Sequence, residues 1–237
     1  MYSSDKEKIN NKIEPILLSK LWTHQEETLN FVISNVKEGK RGFGDASNVG
    51  AGKSLTALTI CCELYKLYDK NKILVMLPTE KLYKTWTDEI DKHISNVNYI
   101  TQNSNGKLEG KIDENKLNIF ITTMGRNRSH PLNYNWLFLV IDECLTVLNK
   151  EAVQTMSSWK QSINSEYGVI LLSATFFRTR FDKLLYMLKM LKCDLPETKE
   201  YLDTNLCDSI KVNLPVNKRT WIEQLFKNEP PKKFYIG

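Results

Sequence analysis

Short unbroken apolar runs alternate along this chain with stretches in which apolar residues recur at helical spacing. The runs are 73–77 (ILVML), 118–122 (NIFIT), 137–141 (LFLVI) and 168–172 (GVILL). A strand covered on both faces needs apolar side chains at nearly every position, so each run predicts a buried strand. Segment 42–46 is a shorter strand-like stretch leading into the glycine loop Gly50-Ala51-Gly52. Leu29, Phe31, Val32 and Val36 predict a helix over 25–36, ended by the turn Gly39-Lys40-Arg41-Gly42. Leu55, Leu58, Leu64 and Leu67 predict another over 54–67, stopped by the polar turn 69–72. Pro78 closes the strand 73–77 and a helix over 81–93 follows, then a polar, glycine-containing connection over 103–110. Further helices are expected over 147–163 and 181–191. Buried strands alternating with helices specify an α/β fold: a doubly wound, mostly parallel sheet with helices on both faces, a three-layer sandwich. Beyond residue 193 the pattern breaks up. Pro196, Pro215, Pro230 and Pro231 punctuate a stretch with a weak strand (210–214) and a weak helix (220–226).

Composition narrows the class. With 237 residues, 41% hydrophobic and 26% charged, the chain suffices for one generous α/β domain or two small ones. No apolar run approaches the roughly 20 residues that a membrane span needs. Residues 1–8 are polar and charged, with none of the apolar core of a secretion signal, so an intracellular protein of cytoplasm or nucleus is expected, without a membrane partner. Cys61, Cys62, Cys144, Cys193 and Cys207 form no CxxC pair, and His24, His93 and His130 are scattered, which reads as reduced thiols and not as a zinc site. A net charge of +5 permits contact with a phosphate backbone without demanding it. The expected organisation is a flexible leader over 1–16, one α/β lobe over 17–195, and an exit segment over 196–237.

The candidate chemistry follows directly on the ends of the predicted strands, where parallel α/β sheets bind their ligands. Ser47-Asn48-Val49-Gly50-Ala51-Gly52-Lys53-Ser54 lies between a strand-like segment and a helix. Glycines let backbone N–H groups turn inward around a β-phosphate, and the helix N-terminus adds positive potential. Lys53 then neutralises the β/γ oxygens, and the Ser54 hydroxyl is placed for Mg²⁺: a P-loop. Ser47 departs from the glycine of the general motif but is small enough for the turn. Asp142-Glu143 ends the run LFLVI. A carboxylate at a strand tip beside a P-loop holds Mg²⁺, and its neighbour orients and deprotonates the attacking water. Ser173-Ala174-Thr175 ends GVILL, and small hydroxyl residues there can bond the acid pair and report the γ-phosphate.

Taken in order, Leu21-Trp22-Thr23-His24-Gln25, Gly50-Ala51-Gly52-Lys53-Ser54, Asp142-Glu143-Cys144-Leu145 and Leu172-Ser173-Ala174-Thr175 resemble the first RecA-like lobe of superfamily 2 helicases and translocases. Pro78, Leu82, Trp86 and Glu89 are similar to the P-x-x-x-L-x-x-x-W-x-x-E motif of the Snf2-like branch, and Ile121-Thr122-Thr123-Met124 sits where that branch carries a Thr-Thr-Tyr-like element. The resemblance implies a RecA-like ATP-binding lobe of a nucleic-acid-dependent ATPase, with ATP and Mg²⁺ as cofactors, and nucleic acid, duplex DNA ahead of RNA, as partner. It implies that Gln25 reads the adenine edge, that Trp22 or His24 lines the base pocket, and that Lys53, Asp142 and Glu143 are catalytic. It implies that Pro78, Thr79, Thr122 and Thr123 touch the nucleic-acid backbone and that Ser173 and Thr175 couple hydrolysis to movement; Trp86 reads as core packing ahead of a base stack. Phe176 replaces the usual proline, and the acid box continues Cys-Leu. Leu214-Pro215 and Tyr235 resemble the crossing into a second lobe. An arginine supplied across such a cleft is worth roughly 10³–10⁵ in rate, so this chain alone is expected to bind ATP and hydrolyse it poorly. An RNA helicase lobe and a non-hydrolysing nucleotide switch are the alternatives.

Overall fold

The computed structural model describes residues 12–147, 153–174 and 234–235. In chain order the elements are β1 (Ile16–Leu17), α1 (Thr23–Lys37), β2 (Gly42–Asp45), α2 (Lys53–Leu67), β3 (Lys72–Leu77), α3 (Leu82–His93), β4 (Ile94–Ser95), β5 (Val97–Gln102), β6 (Leu108–Glu109), β7 (Leu117–Thr123), α4 (Met124–Ser129), β8 (Phe138–Asp142), α5 (Val153–Ile163), β9 (Val169–Leu172) and β10 (Phe234–Tyr235). A 3-10 turn, Cys144–Val147, follows β8.

The main sheet runs in the order β10-β2-β9-β8-β3-β7-β5-β6. From β2 to β5 every pairing is parallel, and both edges, β10 and β6, pair antiparallel. All six parallel strands therefore end at one edge of the sheet. Alternate residues of each strand feed opposite layers. Ile73, Val75, Leu77, Ile119, Ile121, Val140 and Ile170 pack with α1, α2 and α3 on one face. Leu74, Met76, Phe120, Leu139, Ile141, Val169 and Leu171 pack with Met124, Leu132, Trp136 and Trp159 on the other. This is the doubly covered sheet that the apolar runs require, and the three-layer α/β expectation stands.

Two parts differ from expectation. β5 and β6 occupy a stretch read as featureless or as a connection. The sequence of β5, VNYITQ, buries only Ile100 and Gln102 fully, so it carries no continuous apolar signal. Its place beside β7 is set by that partner and not by its own pattern. The second concerns the described end of the stretch read as a leader. Residues 12–18 are fastened to the domain: Lys12 Nζ donates to Tyr68 O (2.9 Å), Ile13 N to Asn115 O (2.8 Å) and Leu18 N to His93 O (2.8 Å), with β1 paired to β4. Phe234–Tyr235, expected on the way to a second lobe, lies as an edge strand against β2. The expected helices 181–191 and 220–226, the strand 210–214, and Thr175, Phe176 and Leu214-Pro215 lie outside the described residues. Among the described residues no helix is long and apolar enough to cross a membrane.

Candidate nucleotide and nucleic-acid site

The loop between β2 and α2 is built by two left-handed glycines, Gly50 (φ 82°) and Gly52 (φ 76°). A Cβ at Gly52 would collide with the Gln25 side chain, so this position needs glycine for space as well as for φ. Val49 stands at the loop's tip, 87% exposed. α2 starts at Lys53, so Lys53 and Ser54 sit in its first turn and the helix's N-terminal N–H groups point at whatever the loop encloses. Ten of its residues, among them Leu55, Leu58, Ile60 and Leu64, are buried, which fixes the helix rigidly behind the loop.

Below the loop, the buried Asp45 at the end of β2 uses one oxygen to accept from both Ser47 N (2.9 Å) and Ser47 Oγ (2.6 Å). The Ser47 carbonyl in turn accepts from Lys53 Nζ (2.8 Å), and Asn48 O accepts from the same ammonium (3.0 Å). An ammonium carries three donors, so one remains for a phosphate oxygen. The small residue at position 47 is thus more than tolerated, because its hydroxyl fastens the loop entry to Asp45. Asp45 was not foreseen. An acid two residues before a P-loop serine has the reach of an Asx turn, and that was the signal available.

Gln25, 3% exposed, stretches beneath the loop. Its Oε1 accepts from Trp22 N (2.9 Å), while Nε2 donates to Gly52 O (3.2 Å) and Ala51 O (3.4 Å). His24 Nε2 donates to Ala51 O (2.9 Å), and the Trp22 ring, 60% exposed, lies 5.6 Å from the His24 ring. An aromatic pair therefore borders the P-loop, with Gln25 bracing the loop from inside.

Asp142 ends β8, Leu172 ends β9 and Asp45 ends β2, and the three strands are consecutive neighbours in the sheet. Ser173, buried, continues β9 and donates its N–H to Asp45 O (3.2 Å). Burial raises the Asp142 carboxyl above the ordinary carboxylate range; the Trp86 indole N–H, the Glu143 backbone N–H and the Lys53 charge pull in the opposite direction. The Trp86 bond (Nε1 to Asp142 Oδ2, 3.0 Å) joins α3 to the acid pair, and Glu143 N donates to Asp142 Oδ1 (2.9 Å). Glu143 itself is exposed, in the left-handed region at φ 48°. A non-glycine residue held there costs about 1–3 kcal/mol, a strain that recurs at functional sites. Among the described residues no three His, Cys, Asp or Glu cluster as a metal cage. A Mg²⁺ held by one carboxylate, one hydroxyl and phosphate oxygens needs no such cage, and the pair Ser54 and Asp142 fits that donor set.

The same sheet edge continues over β3, β7 and β5. Thr79 is exposed and Pro78 half-buried. Thr123 caps α4, its Oγ1 accepting from Arg126 N (3.1 Å). Thr122 is fully buried and its hydroxyl donates to Gln102 Oε1 (2.5 Å). The phosphate contact expected of Thr122 is incompatible with this placement: β7 turns that side chain into the protein. Around it lies a network that sequence reasoning missed. Gln102 O accepts from Tyr83 OH (3.0 Å) and Arg126 Nη1 (2.6 Å), and Gln102 Nε2 donates to His130 O (2.9 Å) and Gly106 O (3.2 Å). Arg126 also pairs with Glu80 and lies over the Tyr83 ring, 5.2 Å from its centroid. The Arg126-Asn127-Arg128 run was the one local hint, since Gln102 comes from a strand not foreseen.

Comparison with known proteins follows this geometry. Residues 18–178 match the family model described as "Type III restriction enzyme, res subunit". A protein of Acanthamoeba polyphaga mimivirus that carries the name of a helicase is 48% identical over 209 residues, covering 87% of this chain and 16% of the relative. The DNA excision repair protein ERCC-6-like of Mus musculus is 29% identical over 93 residues (39% of this chain, 7% of the relative), and that of Danio rerio 27% identical over 150 residues (57% and 10%). The chain therefore spans a small part of the length of these relatives. The Sulfolobus solfataricus SWI2/SNF2 ATPase core, solved in complex with dsDNA, superposes with a TM-score of 0.68 at 19% identity, covering 87% of this chain and 43% of that one. On the matched family model the chain belongs to the type III restriction enzyme res-subunit family, and its fold is that of the RecA-like lobe of the SWI2/SNF2 ATPase core.

Proposed function

We propose that this lobe binds Mg·ATP and hydrolyses it to drive movement along nucleic acid, duplex DNA in preference to RNA. The observation that carries the reading is that the loop bearing Lys53 leaves β2 and the Asp142-Glu143 pair ends β8, one strand apart at the same sheet edge, with Asp142 held by the Trp86 indole and the Glu143 amide. The loop 47–54 cradles the β-phosphate, and Lys53 neutralises the β/γ oxygens. Ser54 and Asp142 hold Mg²⁺, which offsets phosphate charge when bound. Glu143 takes the proton of the attacking water as its oxygen bonds the γ-phosphorus and the bond to the bridging oxygen of ADP breaks. Trp22 and His24 border the adenine, with Gln25 between base and loop. Ser173, bonded to the P-loop strand through Asp45, and Thr175 couple hydrolysis to movement. Pro78, Thr79 and Thr123 face the nucleic-acid backbone. A second RecA-like lobe, in cis or in trans, supplies the arginine that speeds turnover.

The preference for duplex DNA draws support from the fold neighbour solved with double-stranded DNA and from the DNA-repair names of the vertebrate relatives. The test is ATPase stimulation by duplex DNA against RNA of matched length, with the lobe joined to its second lobe. Stronger stimulation by RNA overturns the DNA preference. ATP binding without turnover in the presence of both makes the protein a nucleotide switch.

A further inference from the structure

The indole N–H of a buried tryptophan usually finds an acceptor, and Trp86 finds its own in the acid pair at the end of β8. It is 1% exposed, on α3, and belongs to the buried cluster that includes Val75, Leu77 and Ile90. Its N–H reaches across 56 residues of sequence to Asp142 Oδ2 at 3.0 Å, and the Glu143 amide occupies Oδ1 at 2.9 Å. Both oxygens of one carboxylate therefore carry a donor. An indole N–H is a donor only and cannot turn independently of its ring, so a ring locked by packing sets the direction of the bond. A carboxylate has about four lone-pair sites, and with two used by protein donors the others are left in fixed directions.

We propose that Trp86 is a positioning residue for the divalent cation: it holds the Asp142 carboxylate in the rotamer that meets the ion carried by the triphosphate. The inference rests on the ATP reading above and deepens it. Trp86 does not touch substrate. It acts on Asp142, in the way outer-shell partners orient metal-binding side chains, whose loss typically costs 10–100-fold in metal affinity. The same helix begins directly after Thr79-Glu80-Lys81, so the residue that aims the acid rides on the element leaving the candidate nucleic-acid turn.

The test measures binding of a fluorescent ATP analogue to the full 237-residue chain, first in EDTA and then through a Mg²⁺ titration. Trp86→Phe keeps the aromatic packing and removes the N–H. Its Mg²⁺ midpoint should rise about 10-fold, with affinity in EDTA unchanged. Ile90→Val, one turn along the same helix and equally buried, should lower the melting temperature and leave the midpoint where it was. A folded Trp86→Phe with an unmoved midpoint overturns the proposal, as does an equal loss of affinity in EDTA and in Mg²⁺. Should Trp86→Phe fail to fold, benzothienylalanine at position 86, with sulfur in place of N–H, is held to the same midpoint shift. A wild-type chain that binds no nucleotide sinks the ATP reading and this inference together, whereas wild-type binding with no effect at Trp86 sinks this inference alone.

Discussion

The two halves of the ligand-binding sheet edge are built on different plans. Over β2, β9 and β8, most of the groups proposed to act on ATP are held by backbone: Lys53 by the carbonyls of Ser47 and Asn48 and Gln25 by loop carbonyls, while Asp142 is held by the Glu143 amide together with the Trp86 indole. Over β3, β7 and β5, polar side chains hold one another or carbonyls far away in sequence: Thr122 with Gln102, and Arg126 with Gln102 and Glu80. A loop held by its own backbone keeps its shape whatever the rest of the edge does. A network of side chains can exchange partners, because each bond has an alternative in water or in a phosphate. The first plan suits a fixed triphosphate cradle, the second a surface that meets a moving strand.

The largest effect that would test this contrast is at Glu143. Glu143→Gln should leave binding of the fluorescent ATP analogue intact while cutting turnover by about 10²–10⁴-fold, the usual worth of a general base; preserved turnover removes Glu143 from that role. Lys53→Ala comes next. It deletes charge-assisted bonds worth about 1.5–3 kcal/mol, so ATP affinity should fall about 10- to 100-fold, and an unchanged dissociation constant would separate the loop from the phosphates. On the other half, Thr122→Val removes the hydroxyl that Gln102 accepts from and should cost about 1–3 kcal/mol in chemical denaturation, with ATP affinity unaffected. If that variant instead kept its stability and weakened nucleic-acid binding, Thr122 would return to the contact role its placement denies it. The smallest effect is expected from Glu80→Gln. Glu80 is exposed, so losing its pairing with Arg126 should change stability by under about 1 kcal/mol, yet it frees a guanidinium and should tighten duplex binding in a salt-titrated assay.

The ease of reading differed between the halves for the same reason. Gly50, Gly52, Lys53 and Ser54 act within one turn of chain, and Asp142-Glu143 within one strand end, so spacing alone exposes them. Gln102 comes from a strand with no continuous apolar signal, and its bonds to Thr122, Tyr83, Arg126 and His130 span 19 to 28 residues. Trp86 was legible as core and as part of a motif. Its bond to Asp142 was not, because α3 and β8 come together only when the sheet forms. Asp45 was hidden differently: it sits inside a short strand-like stretch, where an acid reads as an interruption until Ser47 turns back onto it.

The order of buried runs and the glycine-lysine-serine and acid-pair motifs, by themselves, determined a doubly wound sheet with a glycine loop and an acid pair at the strand ends. Those features are local: apolar runs must be covered on both faces, and a glycine loop ahead of a helix can bend only in a few ways. Tertiary structure alone decided that β9 lies between β2 and β8, bringing Ser173 against Asp45 and Lys53 within electrostatic reach of Asp142. It also decided that Thr122 faces inward and that the Trp86 indole N–H meets the Asp142 carboxylate. Strand order and side-chain direction across strands come from packing between segments far apart in the chain, and no spacing along one segment encodes them.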